Sequence, residues 1–210
     1  MSILNIRAQL YEVGVNLARK FLDVNRLPHP EFYTYDEVSK LMGGTRVGKL
    51  VERFRNMPLI GGMTGYYHQG MVLVNVPVTC LPVDRPAYRS WSYPCWKTDR
   101  TAVGVVAHEV GHHIERVLQQ SGVLTPETHG PEWRRVMKGK RVSGYEPVPS
   151  EAWAETLRLF ILNPYLLKFA IPRRYKFVRQ FLKPSEQRTW RAVLLDHPAY
   201  CEQGNKWIRQ

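Results

Sequence analysis

The strongest constraint on this chain is the pattern HEVGH that begins at His108. The pattern lies inside an uninterrupted run of apolar residues at helical spacing, which predicts a helix with a cap at Asp99 or Thr101 and a stop at Gly122. Residues four positions apart on a helix lie one turn apart on the same face. His108 and His112 could therefore bind one Zn²⁺ through their ring nitrogens.

The residues around these two histidines have different expected roles. Glu109 would lie beside the open position of the metal, where its carboxylate can act as general base toward a metal-activated water and later protonate a leaving amine. His113 points about 100° away from His112 around the helix, so we predict a structural or solvent-facing role for it. Glu115 and Arg116 have the pattern of ordinary helix-surface charges.

A catalytic zinc site uses three protein ligands and one open position, and the chain offers two candidates for the third ligand. Glu151 and Glu155 are four residues apart in a predicted helix, so both could face the site. One would bind the zinc, and the other would accept a hydrogen bond from the far nitrogen of a ligand histidine and so fix its tautomer. His129, in THGPEW at the start of a short predicted helix, is the alternative third ligand.

The N-terminal part of the chain is predicted to be mainly helical. Apolar residues from Ile3 to Phe21 recur at helical spacing, and LPHPEFYTY is then expected to be a loop because its prolines end helical structure. A short helix should begin near Thr34 or Asp36 and stop at the following Gly-Gly. The segment TRVGKLVERFRNM should form another helix.

The remaining segments mix strands, loops and helices, which predicts an α+β fold. GGMTGYYHQGMVLVNVPV favours one or two strands, and PVTCLPVDRPAYRSWSYPCW is typical of a long structured loop or irregular sheet edge. HGPEWRRVMKGK predicts a short helix behind His129, and SEAWAETLRLFILNP predicts a helix capped by Ser150 and ended by Asn163-Pro164. The tail favours two or three short helices between prolines.

Charge is distributed unevenly along the chain. Residues 131–210 contain 16 Lys+Arg and 7 Asp+Glu, a net of +9, whereas residues 1–130 contain 14 and 11, a net of +3. A basic C-terminal part could bind nucleic acid or an acidic partner. It could equally be a solvated basic face, because no recognisable DNA-binding module accompanies the charge.

The composition is that of a globular protein from a reducing compartment. Cys80, Cys95 and Cys201 form no CxxC pair, which favours reduced thiols in the cytosol, with a Cys80–Cys95 bridge as the alternative. Charges interrupt the N-terminal helix where a signal peptide needs an apolar core, and no run reaches the ~18 apolar residues of a membrane span. We therefore expect a cytoplasmic protein without membrane contact.

VVAHEVGHHIE, followed by VSGYEPVPSEAWAETLRLFILNP, resembles the gluzincin metallopeptidases, in particular the small phage and bacterial zincin-like proteins and lethal-factor-like catalytic cores. The likeness covers residues 100–165, and a weaker one extends to residue 198. It implies a zincin-like fold with a small twisted sheet, the HEVGH helix, a facing glutamate-bearing helix and a helical C-terminal part. It also implies that the strand around Val72–Val76 is an edge strand that pairs with an extended peptide. The expected location of the protein is the cytoplasm of a bacterial or phage-infected cell.

The same resemblance carries residue roles. Glu109 matches the general base, and Glu155 matches an acid that holds a ligand histidine from behind. Tyr145 matches the tyrosine whose hydroxyl stabilises the oxyanion of the tetrahedral intermediate. The positions that match the zinc ligands are His108, His112 and Glu151.

A second resemblance competes with the first. HEVGHHIE followed by THGPEWRRVM is similar to the SprT/Spartan type of DNA–protein crosslink protease, which implies that His129 is the third ligand. The basic C-terminal part agrees with work on DNA. This chain departs from that family in having no CxxC zinc ribbon, and the helix with Glu151 and Glu155 has no metal role there.

We interpret the chain as three segments of one expected domain: an N-terminal helical segment (1–60), a zincin catalytic core (61–165) and a basic helical extension packed on the core (166–210). The expected function is hydrolysis of peptide bonds in a protein or peptide substrate with one catalytic Zn²⁺. The alternatives are a SprT-like DNA-associated protease and a non-catalytic, metal-stabilised binding or structural protein.

Overall fold

The computed structural model of the chain is an α+β protein, as predicted, and it describes residues 3–55, 65–79, 101–143, 145–146 and 148–186. Within those residues the helices are α1 (Ile3–Val24), α2 (Tyr35–Leu41), α3 (Arg46–Arg55), α4 (Ala102–Gln120), α5 (Pro126–Met137), α6 (Pro149–Leu162), α7 (Pro164–Ala170) and α8 (Pro172–Val178). The strands are β1 (Glu31–Thr34), β2 (Gly65–His68) and β3 (Met71–Val74). Cys80, Cys95 and Cys201, most of the predicted long loop and the end of the tail lie outside the described residues.

The described strands form one mixed sheet in the order β1-β3-β2. β3 runs parallel to β1 and antiparallel to β2, and the β2–β3 turn has positive φ angles of 46° at Gln69 and 90° at Gly70. Positive φ at both central residues is the geometry that matches the twist of a two-residue hairpin. The prediction of one or two strands in this region is confirmed.

Two sequence-based expectations about the sheet are wrong. EFYT, directly after Pro30, forms the strand β1 and is not part of a loop. It pairs with β3, and the Glu31 N–H donates a hydrogen bond of 2.8 Å to the Gly70 carbonyl just before β3. β3 is the central strand and not an edge, because both of its sides are hydrogen-bonded. Both errors come from strand pairing, which a local sequence pattern does not contain.

α4, the helix that contains HEVGH, lies at the centre of the molecule. The hydroxyl of Thr101 caps it by accepting the Gly104 N–H at 3.2 Å, and Gly122 follows its end with a φ of 71°, so both predicted ends are confirmed. α1 and α6 cross it closely at glycines. A Cβ on Gly14 would lie 3.0 Å from Val103 Cα, and a Cβ on Gly111 would lie 2.8 Å from Ala154 Cα.

Two helices begin earlier than predicted. α5 starts at Pro126, ahead of His129, because that residue ties the first turn together: its N–H donates to the Thr125 carbonyl at 2.9 Å, and its ring nitrogen accepts the Thr125 N–H at 3.0 Å. α6 starts at Pro149 with Val148 as the cap, so Ser150 is not the cap. Proline suits the first helical position, because its φ is preset and its missing N–H is not needed there.

The main hydrophobic core joins residues of α1, α4, α6 and α8. It therefore includes residues from all three segments distinguished in the sequence, as far as they are described. Trp133, Trp153 and Phe177 make edge and tilted ring contacts with centroid distances between 5.3 and 6.2 Å, which joins α5, α6 and α8. Among the described helices, none combines the length and the hydropathy required to cross a membrane.

Candidate metal centre

The crossing of α4 and α6 brings three metal-ligating side chains together. His108 Nε2 lies 3.1 Å and His112 Nε2 lies 3.6 Å from Glu151 Oε2, and candidate ligand atoms of the three residues all lie within 4.8 Å of one another. Zinc-ligand bonds of about 2.0–2.2 Å at tetrahedral angles put ligand atoms about 3.3–3.6 Å apart. The residues present therefore fit a Zn²⁺ ion with two nitrogen ligands, one oxygen ligand and one open position.

Glu155 holds His108 from the opposite side. Its Oε1 lies 2.8 Å from His108 Nδ1, and its side chain is fully buried. When Nδ1–H donates to this carboxylate, the lone pair of Nε2 is left free toward Glu151, which is the tautomer that metal binding requires. Sequence spacing suggested that one of the two glutamates takes this place, and the structure has Glu155 there.

Arg158 in turn holds Glu155. The guanidinium donates from Nε to Oε1 at 2.9 Å and from Nη2 to Oε2 at 2.8 Å, and neither side chain is exposed to solvent. Sequence reasoning missed this residue. The available signal was an arginine three positions after Glu155 in the otherwise apolar run LRLFIL, where an unpaired charge would be unstable.

The pKa values show that the cluster attracts positive charge. Burial lowers the pKa of His108, but its hydrogen bonds to Glu151 and Glu155 outweigh burial and raise that pKa to about 10. Burial raises the pKa of Glu151, but hydrogen bonds to His108 and His112 bring it down to about 2. Burial is likewise outweighed at Glu155, where the charges of Arg158 and His108 hold the pKa far below its ordinary value. These shifts favour a protonated His108 beside two ionised glutamates.

Glu109 lies against β2, on the side of α4 next to the cluster. It is 7% exposed, its carboxylate accepts the backbone N–H of Tyr67, and burial raises its pKa although His108 and His112 oppose the shift. Gly65 makes this approach of strand and helix possible. A Cβ on Gly65 would lie 2.7 Å from Glu109 Oε1 and 2.5 Å from Val105 Cγ1. The sequence did not predict this role of Gly65.

Tyr145 lies beside the cluster on the loop between α5 and α6. Its ring centroid is 5.9 Å from that of His108, and 47% of the residue is exposed. The loop is anchored by the buried Glu146, whose Oε1 accepts the Val142 N–H at 2.6 Å and whose Oε2 accepts from Arg174 Nη2 at 2.8 Å. The pairing of Glu146 and Arg174 carried no sequence signal, because the two residues are 28 positions apart.

Other histidines and acids near the motif contact the fold around them and lie outside the candidate metal site. His129 uses its Nδ1 to accept the Thr125 N–H and packs its ring 5.1 Å from Phe181, and it is not part of the cluster found among the described residues. His113 is buried, with Nε2 donating to the Pro28 carbonyl at 2.8 Å, in line with a structural role. Glu115 is half-buried and burial raises its pKa, so it is not the surface charge that was expected.

Comparison with known proteins adds no assignment. No family model matches the chain, and no curated protein or solved structure matches it. The chemistry of the site therefore has to be argued from its own residues. They offer three side chains that could hold a cation, a buried carboxylate of raised pKa beside them, and a tyrosine ring 5.9 Å from the ring of His108.

Proposed function

We propose that this protein is a zinc-dependent metallopeptidase with a zincin-like fold of the gluzincin type. The observation that carries the proposal is the convergence of His108, His112 and Glu151, with Glu109 on the same helix as the histidines. One oxygen and two nitrogen ligands with an open position are typical of catalytic zinc sites. We infer that the protein works in the cytoplasm of a bacterial or phage-infected cell.

The proposed mechanism divides the work among three groups. A bound Zn²⁺ would supply a Lewis acid that activates water and polarises the scissile carbonyl. Glu109 takes the proton of the attacking water and passes it to the leaving amine, for which a carboxylate with a raised pKa is suited because it can both accept and donate near neutral pH. The Tyr145 hydroxyl donates a hydrogen bond to the developing oxyanion.

We propose β2 as the strand that receives the substrate. β2 is paired with β3 on one side, and within the described part of the sheet it has no strand on the other side. Its Tyr67 lies against Glu109, so a peptide added along this strand would pass the general base. Backbone pairing of this kind gives affinity for extended peptides with little dependence on their sequence, which fits a protein or peptide substrate.

Glu109→Gln is the direct test of the peptidase proposal. We expect zinc binding to persist, because the residue is not a ligand in the proposal, and kcat/KM on a peptide library to fall about 10²–10⁴-fold, the usual contribution of a general base. Glu127→Gln, at an exposed glutamate of α5, is the matched control and should leave the rate unchanged. A zinc-loaded wild-type protein that cleaves no peptide would instead support the metal-stabilised binding protein.

A DNA-associated protease of the SprT type is the second candidate function. The Gln180 side chain, two residues after α8, donates a 3.3 Å hydrogen bond to Glu132 of the neighbouring helix α5. The candidate is favoured by exposed basic residues on and directly after these two helices. These residues include Arg134, Arg135, Lys138, Arg173, Lys176 and Arg179. Nucleic acid is thus a proposed partner. Hydrolysis that needs added DNA, together with loss of zinc in His129→Ala, would support this candidate over the first.

A further inference from the structure

Arg158 is a fully buried cation whose charge is directed at one carboxylate. It lies on α6 one turn after Glu155, and its side chain is 0% exposed. A buried arginine is costly unless both its charge and its hydrogen bonds are satisfied. The two bonds to Glu155 give it a planar, two-point contact that fixes the orientation of the carboxylate as well as its charge.

The carboxylate held in this way is the one that contacts a candidate ligand. Glu155 Oε1 is shared between Arg158 Nε at 2.9 Å and His108 Nδ1 at 2.8 Å. Rotation of the carboxylate away from the guanidinium would therefore break both contacts of Oε1 at once. The other nitrogen of the same imidazole lies 3.1 Å from Glu151 Oε2. A continuous series of contacts thus runs from Arg158 through Glu155 and His108 to Glu151 in the candidate metal site.

We propose that Arg158 is a positioning residue of the metal centre, which holds Glu155 so that His108 presents Nε2 to the metal. The inference rests on the proposed metal site but not on peptide hydrolysis. Lysine cannot replace Arg158, because its ammonium group is a compact donor without the planar, two-point geometry of the guanidinium. The described contact between Arg158 and the candidate site is the pair of hydrogen bonds to Glu155, so Arg158 would act on the metal through that carboxylate.

A purely structural ion pair is the competing explanation, and the chain contains a control for it. Arg174 is also fully buried and forks onto a carboxylate, with Nη1 at 3.0 Å and Nη2 at 2.8 Å from Glu146. The described contacts of Glu146 are with backbone N–H groups of its own loop and with Arg174, and none of them is with a histidine of the cluster. Loss of either fork should destabilise the fold, but only one fork supports a candidate ligand.

The experiment compares Arg158→Lys with Arg174→Lys in the full chain. Zinc affinity is measured by competition with a chromophoric chelator and expressed per folded protein, and the ligand-field spectrum of bound Co²⁺ is recorded. We expect Arg158→Lys to weaken zinc binding about 10–100-fold, the range known for outer hydrogen-bond partners of metal ligands, and to shift the Co²⁺ bands. Arg174→Lys should lower the unfolding midpoint but leave affinity and spectrum unchanged.

Equal losses of affinity in the two variants, or no loss in folded Arg158→Lys, would overturn the proposal. If Arg158→Lys does not fold, the imidazole tautomers of zinc-loaded wild-type protein are read by ¹⁵N NMR. The proposal then requires a protonated, hydrogen-bonded Nδ1 on His108, and a protonated Nε2 overturns it. If the affinities behave as expected but no peptide is cleaved, the positioning role stands and the peptidase proposal fails.

Discussion

His108 connects the two helices of the candidate metal centre, because its two ring nitrogens contact both glutamates of α6. Burial alone would make it a weak base, yet Glu151 and Glu155 raise its pKa to about 10. A cluster that stabilises one proton so strongly is also suited to a divalent cation, which would replace that proton. The site combines two carboxylates of lowered pKa with the ring nitrogens of two histidines.

The metal-free protein should have a stability maximum in mildly acidic solution. The lowered pKa of Glu151, about 2 against an ordinary 4.5, contributes stability that is present above pH 4.5 and lost as pH falls toward about 2. The raised pKa of His108 contributes stability that is complete below 6.5 and lost as pH rises toward about 10. Burial raises the pKa of Glu109, which adds to the loss on the alkaline side.

We therefore expect the Tm of chelator-treated protein to be highest at about pH 4.5–6.5 and to fall on both sides. Thermal unfolding followed by circular dichroism from acid to alkaline pH measures this profile. Zinc-loaded protein is the comparison, and its alkaline limb should be flatter because bound metal keeps the histidines deprotonated. A Tm of the metal-free protein that climbs steadily through pH 8 would show that the cluster does not hold a proton in this way.

Mutation of Glu151 should lower zinc affinity, whereas mutation of His129 should not change it. Glu151→Gln removes the proposed anionic ligand, so zinc affinity should fall by more than the about 100-fold that loss of an outer hydrogen bond costs at most. His129→Ala should leave zinc affinity unchanged, because its ring is bonded to Thr125 and packed on Phe181. Equilibrium dialysis with zinc detects both effects. The opposite pattern would move the third ligand to His129.

At the scale of single elements, the crossing of α4 and α6 decides whether the glutamates reach the histidines. Gly111, which directly precedes His112 in the sequence, lies at this crossing against the backbone of Ala154. The close approach is possible because residue 111 has no side chain where the Ala154 backbone meets α4. The geometry of the site is therefore a consequence of small residues as well as of the ligands themselves.

Gly111→Ala should disturb both the fold and the site. Its Cβ would meet the Ala154 backbone at 2.8 Å, and relief of such overpacking costs about 1–3 kcal/mol in the free energy of unfolding. Denaturant unfolding and zinc titration should both report a loss. Gly130→Ala in α5 is the control, because its Cβ would meet only the Arg134 side chain at 3.6 Å, and it should be neutral or stabilising by up to about 1 kcal/mol. Unchanged stability in Gly111→Ala would mean that the helices separate without cost.

Single helices were more predictable than contacts between elements. The residues that share a face of α4 or of α6 could be predicted, because a helix has a fixed period. His108 and His112 share one face of α4, and Glu151 and Glu155 share one face of α6. Their roles as ligands stay predictions. β1, the central position of β3 and the fork from Arg174 to Glu146 could not be read, because each depends on which distant segments meet. Arg158 lay within one helix and could have been found.

In the whole molecule, α4 is packed between elements that are far apart in sequence. α1 packs along α4, with Gly14 close to Val103, and α8 closes the aromatic cluster around Trp153. The core is shared by all of these helices. The segment 61–165, which the sequence was interpreted to contain as a catalytic core, thus lacks a large part of its hydrophobic packing when taken alone.

A fragment of residues 61–165 is expected not to fold. Removing α1 would expose the face of α4 that contains Val103 and Val106, and a single helix face must be buried against another layer to be stable. Circular dichroism and zinc titration of the fragment, beside the full chain, test this expectation. Cooperative unfolding of the fragment with full zinc affinity would show that the catalytic core is independent of α1.

We propose that one zinc ion binds between α4 and α6. A crystal of the zinc-loaded protein with anomalous data at the zinc absorption edge would locate the ion. We expect one anomalous peak per chain, about 2.0–2.2 Å from His108 Nε2, His112 Nε2 and a carboxylate oxygen of Glu151. A peak at His129, or a protein that binds no zinc and is unaffected by chelators, would contradict it.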